Sequence, residues 1–155
     1  MKKSLAILCV LLSMSTFTKV IDNVKDIRAE WVPFSDQVMG GISEVNVYEL
    51  LEDGVSFYRL EGNVSTENNG GFIQLRAGVN LRNKNIEGIR IKVRGNNNEY
   101  YLHLRSPRML PWNYYTAKFY ASEEWVVVDL PLSSFEYSRD TSKSFNSSKI
   151  QSLGL

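Results

Sequence analysis

The stretches that decide the fold of this chain are Gly88-Ile-Arg-Ile-Lys-Val-Arg94 and Tyr100-Tyr-Leu-His-Leu-Arg105. Apolar and polar residues alternate in both, with the period of two that a β-strand shows when one of its faces is buried. Tyr115–Tyr120 continues the alternation, and the consecutive valines of Trp125–Leu130 predict a strand that is covered on both faces. The sequence therefore predicts an all-β fold.

Turn residues separate shorter apolar segments earlier in the chain. Glu52-Asp53-Gly54 separates the predicted strand Val45–Leu51 from Val55–Val64. Asn68-Asn-Gly-Gly71 precedes a further predicted strand, Phe72–Ala77. Asp-Gly and Asn-Gly steps reach positive φ at low cost, as tight hairpin turns require. We therefore expect a hairpin at each of these turns.

The composition is that of one globular domain. The chain has 155 residues, of which 43% are hydrophobic and 23% charged, and both fractions are near the average for such domains. Its 18 basic and 17 acidic residues nearly balance. A surface that follows nucleic-acid phosphates needs an excess of basic residues, so nucleic acid is not an expected partner.

Residues 1–18 have the pattern of a signal peptide, and residues 19–155 form the predicted domain. Two lysines precede an uncharged apolar run of 13 residues, Leu5–Phe17, which is shorter than the roughly 20 residues of a membrane-spanning helix. We expect export to the bacterial periplasm or cell envelope, with no stable membrane insertion of the mature chain. Cleavage would remove Cys9, the one cysteine, and would leave one acid in excess.

Two glycine-centred segments carry a family resemblance. They read Trp31-Val-Pro-Phe-Ser-Asp36-Gln-Val-Met39-Gly40-Gly41-Ile-Ser43 and Glu61-Gly62-Asn-Val-Ser65-Thr-Glu67-Asn68-Asn69-Gly70-Gly71-Phe72. They resemble the signatures of the complex I intermediate-associated protein 30 family, in which a tryptophan precedes D-x-V-M-G-G-x-S and a later segment reads G-x-V-S-x-E-N-N-G-G-F. The resemblance extends to about Leu155.

That resemblance implies a jelly-roll β-sandwich related to galactose-binding domains. Eukaryotic members of the family are assembly factors of respiratory complex I, which act as chaperone-like binders without catalysis. In the family, an apolar-Gly-apolar step begins a last strand pair that closes the sandwich. Leu153-Gly154-Leu155 resembles this step, so the resemblance implies that the last strand pair is missing if Leu155 is the natural end of the domain.

The first candidate site is the loop of the first signature segment. Gly40 and Gly41 allow close approach of a ligand or another chain, and Asp36 and Ser43 offer hydrogen-bond acceptors. The alternative, which we favour, is a turn locked by its own side chains. In the second segment, Gly70 and Gly71 are interpreted as a structural turn in preference to part of a calcium site.

Arg76 is the second candidate, because it lies on a predicted strand that follows the second segment. It either pairs with an acid, Asp36 or Glu67, or presents its guanidinium to an anionic ligand. The pairing is the favoured alternative, and it would make Asp36 and Arg76 neighbours at one end of the fold.

The third candidate is the outward face of the predicted strands. Rings and planar polar groups on one face suit the recognition of sugars or peptides, although a second sheet could equally cover them. The residues concerned are Tyr101, His103, Arg105, Thr116, Lys118 and Tyr120, with Trp112, Asn113 and Tyr114 in the connecting loop.

The residues do not predict an enzyme. His103 is the one histidine, and no nucleophile elbow or pair of acids at motif spacing accompanies it. The glycine pairs lead into strands and do not open a helix, so no phosphate loop is predicted. We expect no metal and no cofactor. The predicted function is binding of a protein partner to assist folding or assembly, and the alternative is a carbohydrate-binding module of the cell envelope.

Overall fold

The computed structural model describes residues 19–79, 86–110, 112–139 and 149–155. The predicted leader, including Cys9, lies outside the described residues. Within these ranges the chain forms ten strands: β1 Trp31–Ser35, β2 Glu44–Glu52, β3 Val55–Asn63, β4 Ile73–Gly78, β5 Gly88–Val93, β6 Asn98–Arg105, β7 Tyr115–Ala121, β8 Val126–Pro131, β9 Glu136–Tyr137 and β10 Ser152–Gly154. Short 3-10 helices lie between the strands at Asp36–Met39, Glu67–Asn69 and Leu132–Ser134.

The strands form a jelly-roll β-sandwich, which confirms the predicted fold class. One layer is a six-stranded antiparallel sheet in the order β1-β4-β10-β6-β7-β9. The other contains two antiparallel pairs, β2-β3 and β5-β8. Side chains link the pairs, because Arg94 binds Glu52 at 2.6 Å and the Phe57 and Trp125 rings meet edge to face at 5.3 Å. No helix in the described ranges is long and apolar enough to span a membrane.

The core lies between the six-stranded sheet and the β5-β8 pair. The period of two predicted for β6 and β7 holds, so each strand turns alternate side chains inward. Burial of each large apolar side chain contributes roughly 1.5 to 3 kcal/mol of transfer free energy. The buried residues of this core include Ile89, Leu102, Leu104, Tyr115, Ala117, Phe119, Leu130 and Leu153.

The first predicted hairpin is confirmed. Asp53 and Gly54 join β2 to β3 with φ angles of 50° and 78°, as a two-residue hairpin turn requires. The second predicted hairpin is wrong, because β3 pairs with β2 whereas β4 pairs with β1 and β10. The segment Asn68–Gly71 carries the chain from one layer to the other, although Asn68 and Asn69 do adopt the positive φ that their residue type favours.

The interpretation of the three valines in β8 is also wrong. Val127 is 60% exposed, and burial alternates along the strand instead of covering both faces. Valine is favoured in strands because its branched side chain packs well on a pleated surface, and this preference does not require burial. A run of valines therefore predicted the strand correctly but not its environment.

Residues near position 153 form a strand at the centre of the large sheet. Leu153 pairs with Ala77 of β4 on one side and with Leu104 of β6 on the other. Leu155 extends this pairing through two backbone hydrogen bonds with Leu75, at 2.7 and 2.8 Å. The step that the resemblance assigned to the beginning of a closing pair is thus itself strand β10.

We predict that Leu104→Ala lowers the free energy of unfolding by about 3 kcal/mol, because it removes a fully buried side chain from the core. Urea denaturation measures this change. The matched control is Val127→Ala in β8, whose exposed side chain should change stability by less than about 0.5 kcal/mol. Equal effects of the two substitutions would contradict the core described above.

Candidate functional site

A buried carboxylate joins the two signature segments. Asp36 follows β1 and is fully buried. It accepts hydrogen bonds from the Ser43 hydroxyl at 2.5 Å and the Ser43 backbone N–H at 2.9 Å. From the second segment it accepts the N–H of Gly71 at 2.6 Å and of Phe72 at 3.3 Å. The carboxylate therefore holds two segments of distant sequence together.

Ser43 extends this network to the end of β3. Its Oγ donates to Asp36 and accepts the backbone N–H of Ser65 at 2.9 Å. Ser43 is as fully buried as Asp36, so neither side chain offers a polar atom to a ligand. These contacts are those of a turn held by its own side chains, because the polar atoms of Asp36 and Ser43 bond within the chain.

In each glycine pair, one glycine adopts a positive φ angle and the other lies close to the Asp36 carboxylate. Gly40 and Gly71 have φ angles of 92° and 136°, which residues with a side chain rarely adopt. Gly41 and Gly70 lie against the Asp36 carboxylate instead. A Cβ on Gly70 would be 2.5 Å from Oδ2 of Asp36, and a Cβ on Gly41 would overlap the same group. The close approach expected at these glycines is therefore made by the chain's own aspartate.

Hydrogen bonding controls the ionisation of Asp36. Burial acts to raise its pKa, but the hydrogen bonds from Ser43, Gly71 and Phe72 outweigh burial and lower the pKa from 3.8 to about 2. The group is therefore ionised at neutral pH, when all of its neighbours act as donors. The turn is most strongly held in this charged state.

Three apolar side chains at the tip of this loop remain exposed. Val38 is 69% exposed, Met39 65% and Ile42 48%. We call these three residues the loop tip. The sequence analysis did not single them out as a site, although they are the apolar residues of the first signature segment that lie outside strand β1. The signal available in the sequence was the presence of large apolar residues in a segment between two predicted strands.

The outward side of the six-stranded sheet carries the other predicted candidates. The second layer packs on the opposite side, and Tyr101 and Tyr120 are 48% and 52% exposed. The face predicted to be either covered or open is therefore open at these positions. One row of paired positions crosses this face from edge to edge: Val32, Arg76, Gly154, His103, Thr116 and Glu136.

Arg76 lies on this face, away from both predicted acidic partners. Its guanidinium is centred 4.2 Å from the Phe34 ring and donates to Oε1 of Gln74 at 3.1 Å. Among the described residues it forms no ion pair. The predicted pair with Asp36 or Glu67 is wrong, because Asp36 is buried at the turn and is already bound by other donors.

His103 continues a hydrogen-bonded chain from Arg76. Gln74 uses its oxygen to bind Arg76, so its amide nitrogen donates to Nδ1 of His103 at 2.7 Å. Nε2 of a neutral His103 then carries the proton. Burial, followed by the charges of Arg105 and Arg76, lowers the pKa of His103 to about 4, so the ring is neutral at neutral pH. Gln74, which the sequence analysis missed, faces outward because it lies two residues before Arg76 on the same strand.

Aromatic rings border this polar chain. Tyr114 stacks on His103 with ring centroids 4.3 Å apart and an interplanar angle of 18°. The guanidinium of Arg105 lies 5.5 Å from the Tyr114 ring. Trp112, in the same loop, is 51% exposed. On β7, Lys118 lies beside Tyr101 and binds Glu99 at 3.1 Å. The structure therefore brings Tyr101, His103, Arg105, Tyr114 and Lys118 together on one side of the domain.

An open groove of about 750 Å³ lies at one end of this face. Three arginines line it: Arg76 from β4, Arg105 from β6 and Arg108 from the following loop. A second groove, of about 440 Å³, is lined by residues of β1, the following 3-10 helix and the start of β2, among them Phe34, Val38 and Glu44. Phe34 contacts Arg76 and therefore links the arginines to the second groove.

Comparison with known proteins agrees with this architecture. The family model described as complex I intermediate-associated protein 30 matches residues 21–155. The fold is similar to that of the family 11 carbohydrate-binding module of the cellulosomal cellulase Lic26A-Cel5E of Clostridium thermocellum, with a TM-score of 0.70 and 14% identity over 88% of this chain and 82% of that one. No curated protein is similar enough to count as a relative.

A second solved structure shows the same likeness. It is the family 11 module from Clostridium thermocellum in complex with a β-1,3-1,4-mixed-linked tetrasaccharide, with a TM-score of 0.68 and 14% identity. The match covers 86% of this chain and 81% of that one. At this level of identity, the likeness establishes the fold alone.

We predict that Asp36→Asn lowers the melting temperature at neutral pH, because an amide NH₂ would face backbone N–H donors. The pKa of Asp36 is 3.8 in its ordinary state and about 2 in the fold, so its ionised form stabilises the fold above the first value. This stabilisation is lost as the pH falls towards the lower pKa of the folded state. Circular dichroism melting across this range should show a shallower loss in the variant than in the wild type.

The control for this substitution is Glu124→Gln, which changes an exposed carboxyl group by the same chemistry. It should leave both the melting temperature at neutral pH and its dependence on acid nearly unchanged. A wild-type melting temperature for Asp36→Asn at neutral pH would contradict the role given to this carboxylate.

We also predict that Gly70→Ala destabilises the fold by about 1 to 3 kcal/mol, because its Cβ would overlap the buried Asp36 carboxylate. Gly78→Ala is the matched control, since no atom lies within 4 Å of a Cβ at that position. Chemical denaturation of both variants tests the prediction. Equal stability of the two would show that the carboxylate does not require a glycine beside it.

Proposed function

The chain belongs to the complex I intermediate-associated protein 30 family, and we propose that it is a non-catalytic binding domain that assists the folding or assembly of another protein. The family is described by its association with an intermediate of complex I. The proposal keeps this type of role and leaves the partner open. From the predicted leader, we infer that the domain acts in the cell envelope.

The observation that carries this proposal is the exposed loop tip. Val38 and Met39 are neighbours in sequence, Ile42 follows after two glycines, and all three expose large apolar side chains. Exposed apolar groups concentrated in one loop are typical of surfaces that contact other proteins. Methionine suits such a surface because its flexible side chain adapts to different partners.

The base of the loop favours binding, because it is rigid. Asp36 fixes the loop through hydrogen bonds from Ser43, Gly71 and Phe72, so little backbone entropy is lost when a partner docks on the tip. Phe34 and Arg76 lie on the same side of β1 and β4. Aromatic residues and arginine are enriched in protein interfaces.

The chemistry of His103 agrees with a non-catalytic role. Its Nδ1 is bound by the Gln74 amide, and its ring is stacked on Tyr114. A histidine that activates a nucleophile needs a hydroxyl or thiol within hydrogen-bonding distance of the ring. The contacts described for His103 are with an amide and an aromatic ring, which position the side chain as part of a surface.

Carbohydrate binding is the second candidate function. It is favoured by exposed rings at Tyr101 and Trp112 beside the stacked pair of His103 and Tyr114, since flat rings cover the apolar faces of sugars. The family 11 module with the same fold was solved in complex with a tetrasaccharide. This candidate uses the outer sheet face, whereas the first uses the loop tip.

We expect the double variant Val38→Ser and Met39→Ser to bind its partner at least about tenfold more weakly than the wild type, because apolar anchors dominate interface energies. A photo-reactive amino acid at position 42 would first cross-link the partner in the producing cells, and mass spectrometry would identify it. The affinity of the purified partner for each variant is then measured by calorimetry. Unchanged affinity of the double variant would contradict the proposal.

The matched control is Val127→Ser, an equally exposed apolar residue in β8, which should bind the partner normally. Both proteins should melt at the wild-type temperature, since their changes are on the surface. Titration with the mixed-linked tetrasaccharide tests the second candidate. A saturable change in tryptophan fluorescence that Trp112→Phe abolishes would favour carbohydrate binding.

A further inference from the structure

The two methionines of the predicted domain, Met39 and Met109, have opposite surroundings. Met39 is 65% exposed at the end of the first 3-10 helix, whereas Met109 is half-buried on the loop after β6. Residues 19–155 contain no thiol, because the one cysteine, Cys9, belongs to the predicted leader. Thioethers are therefore the sulfur groups of the domain that an oxidant can modify.

The sulfur of Met109 is shielded. Its Sδ accepts the backbone N–H of Ser106 at 3.3 Å, so one of its lone pairs is engaged. The side chain also packs against the core. Oxidation of a thioether requires a sulfur lone pair that the oxidant can reach, and susceptibility follows exposure. We therefore expect Met109 to react slowly.

Met39, in contrast, is open to solvent and to a second protein. Gly40 follows it, and no atom lies within 4 Å of a Cβ placed on that glycine, so neighbouring side chains do not crowd this end of the helix. The backbone beneath is fixed by the hydrogen bonds that Asp36 accepts from Ser43 and Gly71. A chemical change confined to the Met39 side chain should therefore leave the fold intact.

We propose that Met39 is a site of reversible oxidation that controls binding of the partner to the loop tip. The inference rests on the proposed function and names the regulation of that surface. The oxidant is hydrogen peroxide. The sulfur lone pair attacks one peroxide oxygen, and the S–O bond forms as the O–O bond breaks. The proton of the attacked oxygen passes to the other oxygen, which leaves as water, so the sulfur loses the two electrons that the peroxide gains.

The product is a polar sulfoxide among apolar side chains. Its oxygen accepts hydrogen bonds, whereas Val38 and Ile42 beside it present apolar groups. Docking of the tip would bury this oxygen without a donor, which is unfavourable. Methionine sulfoxide reductases reverse the change, since two thiols become a disulfide and the sulfoxide oxygen leaves as water. The exposed position of Met39 gives such an enzyme access.

Peptide mass spectrometry of the full chain after treatment with hydrogen peroxide tests the site. We expect oxidation of Met39 under conditions that leave Met109 unmodified, and an unchanged melting temperature by circular dichroism. Equal oxidation of the two methionines would overturn the inference. A lower melting temperature of the protein oxidised at Met39 alone would also overturn it, because Met39 would then support the fold.

Calorimetry with the partner identified by cross-linking tests the control of binding. The chain is oxidised, and the peroxide removed, before the partner is added. The oxidised wild type should bind about tenfold more weakly than the untreated protein, and treatment with the reductase should restore the affinity. Met39→Leu, which has no thioether at the tip, should show the same affinity before and after peroxide. The matched control, Met109→Leu, should respond to peroxide as the wild type does.

Failure of this inference is distinguishable from failure of the proposed function. If the double variant Val38→Ser and Met39→Ser loses the partner but oxidation does not weaken binding, the regulatory role of Met39 is wrong and the loop-tip interface stands. If the partner requires neither residue, both proposals fail. A response to peroxide that persists in Met39→Leu would assign the effect to another residue and would overturn the inference.

Discussion

The carboxylate of Asp36 is the contact on which the arrangement of the domain depends. It gathers donors from Ser43, seven residues later, and from Gly71 and Phe72, which precede the neighbouring strand β4. Inside the protein such charge-assisted hydrogen bonds are strong, and an unsatisfied carboxylate there would be costly. The glycines beside it are consequences of its position, because a larger residue would occupy the space of the carboxylate.

This constraint separates residues that build the loop from residues that the loop displays. Asp36 and Ser43 face inward, where their polar atoms form hydrogen bonds within the fold, whereas Val38 and Met39 between them face solvent. The outer sheet face shows the same division, because Leu102 and Leu104 form the core while His103 and Arg105 contribute to the surface. In both places the interior fixes the backbone and the alternate side chains remain available for contacts.

Local patterns in the sequence predicted local structure well. The alternation in β6 and β7 identified their inner and outer faces, and Asp53-Gly54 identified its hairpin, because neighbouring residues alone decide these features. The turn at Asn68–Gly71 was misjudged as a hairpin, since pairing of β4 with β1 and β10 depends on distant strands. Tertiary contacts likewise decide that Val127 is exposed, that Arg76 binds Gln74 and that the loop tip lies in solvent.

The position of β10 has a consequence for biosynthesis. Until residues 152–154 leave the ribosome, β4 and β6 have no strand between them, and both present unpaired backbone groups that invite pairing with other nascent chains. Contacts between Leu75 and Leu155 join residues that are about half of the sequence apart, and such long-range pairing slows folding. A nascent form of this domain should therefore need protection by cellular holding factors until β10 has been synthesised.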